Sequence, residues 1–441
     1  MNSAMERKLQ EGHFTYFFTK FFVDRAVRNS YRRFQVEGTE NIPEDGSTIW
    51  AANHTNALMD PLVMLAVTKS QKVFMARADI FQKKAAVKWL RFLKIMPIYR
   101  IRDGLEAVKK NTETISQATE IMLDKVPLVI YPEATHRAKH SLLKLSKGVF
   151  HITYSVYENS AGDGAVYIQP IGIDYGDYFR FRSTVLVRFG KPFNVSEFIK
   201  LNSGDPVPVQ MLKMREVLTE KMSELITYIP DDKDYDAIWE LTKIRSDNPA
   251  YFRKTLDEIE SATGSSLRGL MRRQAVNRRT VADLLKFREE QPDEAAKLFE
   301  KADRLRVWRI QNGISVYSIA NELGWGRVIG KFLLALAGLP YYVFSAVVAS
   351  VIWIPTLLIM RGIKDNAFYN TARFGTCFAM SIIAFILWTV LYFCFMPWYF
   401  ALAALLLSLP SVRYLYDYGR FFRLMTSDLR WKFKKRRAPQ L

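Results

Sequence analysis

A histidine and an aspartate separated by five residues, His54 and Asp60, stand between an apolar run that ends at Ala52 and an apolar helical pattern that begins at Pro61. An imidazole becomes a general base when a carboxylate fixes its tautomer and stabilises the imidazolium that forms on proton uptake. Asp60 is the nearest such carboxylate. Residues six apart on a continuous helix face different ways, so the pair can meet only if the intervening loop folds back. The other reading of the same residues is structural, with Asp60 at the N-cap, Pro61 at the first helical position and His54 bonded to a turn. The residues alone leave both open.

No Gly-x-Ser-x-Gly elbow occurs, and the two cysteines, Cys377 and Cys394, lie in apolar segments away from every histidine of the polar region. Chemistry at His54 therefore fits direct activation of a substrate hydroxyl better than an acyl-enzyme. Glu133, His136 and His140 make a Glu-x-x-His-x-x-x-His spacing. A metal site there would need a further ligand and an open position, so no metal and no prosthetic group is expected.

The elements that must position these residues alternate between short apolar runs and helical patterns. Residues 47–52, 73–76, 95–99, 128–131, 166–173 and 184–189 read as strands, with a further short one at Val36. Residues 61–67, 83–93, 105–125 and 147–157 read as helices between them. Strands that are apolar throughout, separated by helices, predict an α/β domain with a largely parallel buried sheet and flanking helices. His54 then falls on a strand-to-helix loop at a carboxyl end, where such domains expose reactive side chains.

Three later stretches follow His54 in order: Met96-Pro-Ile-Tyr-Arg-Ile-Arg-Asp103, Val129-Ile-Tyr-Pro-Glu-Ala-Thr-His-Arg137 and Ile168-Gln-Pro-Ile-Gly-Ile173. Together with the histidine loop they resemble the four motif blocks of the glycerophospholipid acyltransferase family, typified by bacterial lysophosphatidic acid acyltransferase. The resemblance covers roughly residues 35–195. The five-residue spacing from His54 to Asp60 is one longer than the common family signature. With Asp174-Tyr-Gly-Asp-Tyr-Phe-Arg-Phe-Arg-Ser183, it is closest to the fungal-type glycerol-3-phosphate and dihydroxyacetone-phosphate acyltransferase branch. One departure stands out: the third block usually reads Pro-Glu-Gly, and here it reads Pro132-Glu133-Ala134. If that position needs a positive φ, alanine strains it.

The resemblance implies transfer of a fatty acyl group from a thioester to a glycerol-phosphate hydroxyl, with His54 as base and Asp60 as its orienting partner. The co-substrate would be acyl-CoA or acyl-carrier protein. Glycerol 3-phosphate is the favoured acceptor and 1-acylglycerol 3-phosphate the alternative. An acceptor phosphate needs fixed cations, and Arg100 and Arg102 come first because guanidinium binds phosphate through paired donors. Glu133 would bond an acceptor hydroxyl or hold an arginine, with Thr135 beside it, and Arg137, Lys144 and Lys147 would extend the cationic pocket or meet anionic lipid. A different class is an inactive lipid-binding scaffold on the same fold, for which Ala134 is the best support.

The chain of 441 residues carries a formal net charge of +19, which calls for an anionic partner. No zinc-finger, helix-turn-helix or aromatic-basic nucleic-acid signature is present, so the partner expected is an anionic membrane and a phosphorylated substrate. Residues 1–12 have no apolar core, which argues against a cleaved signal. Residues 13–34 interleave Phe14, Phe17, Phe18, Phe21 and Phe22 with Lys20, Arg25 and Arg28, and read either as an interfacial helix over 1–34 or as a core helix.

The acyltransferase domain is expected over 35–205 and a helical segment of scaffolding character over 206–330. A transmembrane region over 331–415, with apolar blocks 332–360 and 374–409, and a basic tail over 416–441 complete the chain. Each block is long enough for a bilayer, which takes about 20 helical residues. Arg361, Lys364 and Arg373 between the blocks, and the basic tail, favour the cytoplasmic side for the catalytic domain, the loop and the tail, which requires each block to enter and return; the first block reads equally as a re-entrant hairpin or a kinked single span, and the second fits a helix pair broken at Pro397.

Overall fold

The structure is a computed structural model that describes residues 8–82, 84–99, 105–160 and 164–441. By contacts the chain divides into two compact units, one of Met1–Tyr178 with Ser183–Ile226, the other of Phe179–Arg182 with Thr227–Leu441.

The first unit runs α1 (Phe14–Ser30), β1 (Arg33–Glu37), β2 (Ser47–Ala52), α2 (Met59–Ala66), β3 (Val73–Arg77), α3 (Lys84–Phe92), β4 (Ile95–Ile98) and α4 (Leu105–Leu123). It continues with β5 (Leu128–Ile130), α5 (Gly148–Asn159), β6 (Val166–Tyr175), β7 (Thr184–Phe189), β8 (Phe193–Asn194), α6 (Val195–Leu201) and α7 (Val207–Ser223). Its sheet has the order β1-β7-β6-β2-β5-β3-β4, with β8 on β6. The pairs are parallel except β6 with β7 and β6 with β8, as the largely parallel expectation requires.

β2 is buried along its whole length and lies between β5 and β6, parallel to both. On one sheet face Ile49 and Ala51 of β2 join Leu128, Ile130 and Ile168 in a core filled by Ile121 and Met122 of α4, Val149, Phe150 and Ile152 of α5, and Met214 and Leu218 of α7. Period-two alternation sends Trp50 to the other face, where its ring meets Phe189 edge-on at 5.2 Å. Because the three central strands are parallel, the loops leaving β2 and β5 and the end of β6 share one edge of the sheet.

Three local readings change. Residues 13–34 are not one helix: α1 stops at Ser30, and Phe34 pairs with Val185 in the β1–β7 ladder, so strand pairing overrides the helical pattern. Asp60 is not the N-cap of α2; Leu58 is, with Met59 first, Asp60 second and Pro61 third. α7, which the expected boundary at 205 leaves in the helical segment, packs its methionines into the core of the first unit.

Lys20 does not join the cationic outer face of α1. It is buried, and its Nζ donates to the carbonyls of Leu65 at 2.8 Å and Thr68 at 3.0 Å, while Arg28 Nη2 reaches Ala66 O at 2.6 Å. These carbonyls belong to the end of α2 and the turn after it, where helical partners run out and cations are favoured. Burial lowers the pKa of Lys20, and lowers that of the fully enclosed Lys72 much further; Lys72 bonds the same turn. The opposite side of α1 leaves Phe14, Phe17, Phe18, Phe21 and Phe22 exposed.

The second unit is helical: α8 (Tyr235–Asp247), α9 (Pro249–Thr263), α10 (Leu270–Glu290), α11 (Pro292–Gln311), α12 (Val316–Asn321), α13 (Trp325–Val348), α14 (Ser350–Arg361), α15 (Tyr369–Phe395), α16 (Trp398–Ser408) and α17 (Ser411–Lys434). Ile238, Leu241, Leu284 and Phe299 centre its polar part, and the buried Glu240 is held there by Arg309 and Lys243. α13 and the Asn366–Phe395 segment are long and apolar enough to cross a bilayer, and a third span results if the bent pair α16–α17 counts as one. The first apolar block breaks at Ala349 and the second at Pro397. Their outward leucines and phenylalanines are exposed, as lipid-facing residues are.

Candidate active site

β2 delivers Asn53 and His54 to the carboxyl edge. The Asn53 amide closes on β6 from both sides, donating to Ile173 O at 3.0 Å and accepting from Ile173 N at 2.6 Å, which prolongs the β2–β6 register beyond the last ladder pair. The loop then turns back through Ala57 at φ 41° and enters α2. That turn brings Asp60 under the histidine, and His54 Nδ1 lies 2.7 Å from Asp60 Oδ2.

The carboxylate is saturated with donors. Oδ2 also accepts from the backbone amides of Thr55 at 2.7 Å and Asn56 at 2.8 Å, and Oδ1 accepts from the Tyr175 hydroxyl at 2.7 Å. The Asp60 side chain is fully buried and the His54 side chain 18% exposed. A buried carboxylate is stable only when donors replace its water, and here four converge on it. With Nδ1–H given to Asp60, Nε2 is the nitrogen left to take a proton.

The loop after β5 supports the histidine from beneath. Glu133 Oε1 accepts from His54 N and Oε2 from Leu143 N, both at 2.8 Å. The sequence reading has Glu133 bonding an acceptor hydroxyl or holding an arginine; in the structure its two oxygens hold backbone amides and staple the loop. Burial raises its pKa, and the two amides offset this only in part. Tyr131 stacks on the imidazole with ring centroids 4.6 Å apart, and His136 meets it edge-on at 5.5 Å. Arg137 N bonds His54 O at 3.1 Å, and its guanidinium reaches Ser141 Oγ at 2.7 Å.

Ala134 has φ 59°, so this position does take the left-handed backbone that glycine adopts freely, and alanine occupies it. Thr135, Lys144 and Lys147 are exposed, the last at the N-cap of α5. Arg100 and Arg102 lie outside the described residues. His140 Nδ1 stands 3.3 Å from Asp174 Oδ1, and among the described residues no group of three or more candidate ligands converges as a metal site.

The sequence reading missed Tyr175 and Tyr131. Tyr175 is the last residue of β6 and Tyr131 follows β5, in stretches already singled out, but nothing local aims either ring at residues far away in the chain. Thr55 Oγ1, the Asn56 side-chain carboxamide and the Tyr131 hydroxyl are buried without a hydrogen-bond partner among the described residues. Such atoms concentrate where a polar ligand or water completes them.

A mostly parallel mixed sheet with flanking helices carries a carboxylate-bound imidazole at its carboxyl edge, and a helical unit with apolar helices long enough for a membrane follows in the chain. Residues 33–174, which contain the whole pair and its supports up to Asp174, match the family model described as Acyltransferase. Among solved structures, the 1-acyl-sn-glycerophosphate (LPA) acyltransferase PlsC from Thermotoga maritima is similar at 20% identity, covering 48% of this chain and 79% of that one, with a TM-score of 0.35. No curated protein matches the chain significantly in sequence.

Proposed function

We propose that this chain is a membrane-bound O-acyltransferase that moves a fatty acyl group from a thioester to a hydroxyl of a glycerol phosphate. The observation that carries the reading is the 2.7 Å contact of His54 Nδ1 with the buried Asp60 carboxylate, inside a segment that matches an acyltransferase model. His54 Nε2 takes the acceptor hydroxyl proton as the oxygen attacks the thioester carbonyl. The tetrahedral intermediate collapses, the carbon–sulfur bond breaks, and the imidazolium returns its proton to the leaving thiolate. General-base assistance of this kind is worth about 10²–10⁴-fold.

The acceptor phosphate needs cations, for which Arg100 and Arg102 remain the first candidates, with Arg137 and Lys147 further out and Thr135 beside the loop. Glycerol 3-phosphate is the favoured acceptor, because the His54–Asp60 spacing and the Asp174–Ser183 stretch are similar to the fungal-type branch. The 1-acyl derivative is the alternative. The donor is acyl-CoA or acyl-carrier protein. The basic loop and tail support a cytoplasmic placement of the domain. The inactive-scaffold reading leaned on Ala134, which holds the required backbone conformation, so that support falls away.

The deciding experiment offers purified, detergent-solubilised protein an acyl thioester with either glycerol 3-phosphate or 1-acylglycerol 3-phosphate and identifies the product by mass spectrometry. A monoacyl product establishes the favoured acceptor and a diacyl product the alternative. Neither product, from folded protein with either donor, would overturn the reading.

A further inference from the structure

The stretch that begins Asp174-Tyr175-Gly176 has no task in the mechanism above, yet it sits at the carboxyl end of β6, beside the loop that carries His54. Its tyrosine is wholly enclosed and its hydroxyl touches the far oxygen of Asp60 at 2.7 Å. We propose that Tyr175 is a positioning residue of the acyl-transfer site, which holds Asp60 Oδ1, fixes the plane of the carboxylate against His54 and limits the charge that Asp60 presents to the imidazole. This rests on reading His54 and Asp60 as the reactive pair.

Two backbone amides and the imidazole N–H pull on Oδ2, all from residues 54–56 of the same loop. They fix one oxygen and leave the carboxylate free to swivel about it. Tyr175 supplies the opposing contact from a different strand, so the carboxylate is held at both ends. The ring is itself wedged, with Tyr31 at the end of α1 at 6.1 Å and Tyr178 at 5.9 Å. Asp174, one residue before, pairs with His140 at 3.3 Å, so the same strand end also ties down the loop that Glu133 staples to His54.

The titratable groups facing the pair are Asp60, Glu133, His136 and Tyr131 around His54, and Tyr31, Tyr131 and Tyr178 around Tyr175. Burial first, and then the Asp60 charge, raises the pKa of Tyr175 well above its ordinary value, and burial does the same for Tyr31 and Tyr131. Tyr175 therefore stays protonated throughout the working range and donates to Asp60. A donor to the outer oxygen draws charge away from the inner one. Its removal leaves a stronger carboxylate for the imidazolium and makes His54 more basic.

The test is Tyr175→Phe in the full chain, which removes the hydroxyl and keeps the ring. His54 basicity is read without any activity assay, from the pH dependence of its carbethoxylation by diethyl pyrocarbonate, followed by peptide mass spectrometry. The midpoint should move up by about half a pH unit or more. The acidic limb of the acyl-transfer profile should move with it, and kcat should fall about ten- to hundredfold while KM stays nearly constant. Adding Tyr175→Phe to Asp60→Asn should cost little beyond Asp60→Asn alone, since the contact is already altered.

An unmoved His54 midpoint overturns the proposal. So does a full additional loss in the double variant together with a lowered thermal midpoint, which marks a purely structural tyrosine. Failure of the acyltransferase reading shows separately, as no acyl transfer by the wild type with either acceptor; the carbethoxylation midpoint still decides the role of Tyr175.

Discussion

Replacing Asp60 with asparagine isolates its charge from its shape. The carboxamide oxygen can keep the three donors that converge on Oδ2, and the amide nitrogen can face the Tyr175 hydroxyl, which turns to accept. The fold should hold. What disappears is the negative charge beside the imidazolium. Charge centres roughly 4 Å apart at an effective dielectric of about 20 interact by about 4 kcal/mol. Each ~1.4 kcal/mol is tenfold in rate, so kcat should fall about a thousandfold. KM should change little, because the carboxylate is buried away from any ligand. The assay is thiol release from an acyl thioester across pH 5–9, with a thermal melt on the same preparation. A fall of less than about tenfold, or one expressed in KM alone, would refute the assignment of Asp60 as the partner of a catalytic base.

Glu133→Gln places an amide nitrogen against one of two backbone N–H donors and should destabilise the chain by about 1–3 kcal/mol in thermal or chemical unfolding. Its pH dependence has a definite sign. The carboxyl pKa is raised in the fold, so its contribution is present below the ordinary carboxylate pKa and lost as pH rises through the raised value. The wild-type advantage over Glu133→Gln should therefore shrink as pH rises from the ordinary carboxylate range through the raised value; growth over that rise would contradict the burial argument. Ala134→Gly should raise the thermal midpoint by the equivalent of about 0.5–1 kcal/mol, the left-handed cost of alanine less the entropy that glycine adds to the unfolded chain. A lower midpoint would show that the methyl group packs usefully there.

The central strands were legible because β2, β5 and β6 are apolar almost throughout, and a strand buried on both faces has no other pattern. His54 and Asp60 were legible as a pair of types, but the residues alone left their meeting open and only the resemblance implied it. It depends on a loop turned by Ala57 and on an aspartate at the second position of its helix, where local rules favour an N-cap. Tyr175 was beyond the sequence because its partner lies 115 residues away, and only the adjacency of β6 to β2 joins them. Lys20 shows the same limit. Its charge places it on an outer face by pattern, whereas the unpaired carbonyls at the end of α2 draw it inside. Glu133 was singled out by resemblance and found in the site, holding backbone where a substrate contact was expected.

The account stands or falls on His54 as the base that makes a hydroxyl attack a thioester. Acceptor-dependent thiol release by the wild type and by His54→Ala, each shown to be folded by its thermal melt, tests this most directly. The account predicts release by the wild type with a glycerol-phosphate acceptor and its loss, by about 10²–10⁴-fold, in His54→Ala. Acceptor-dependent release that survives in His54→Ala would contradict it.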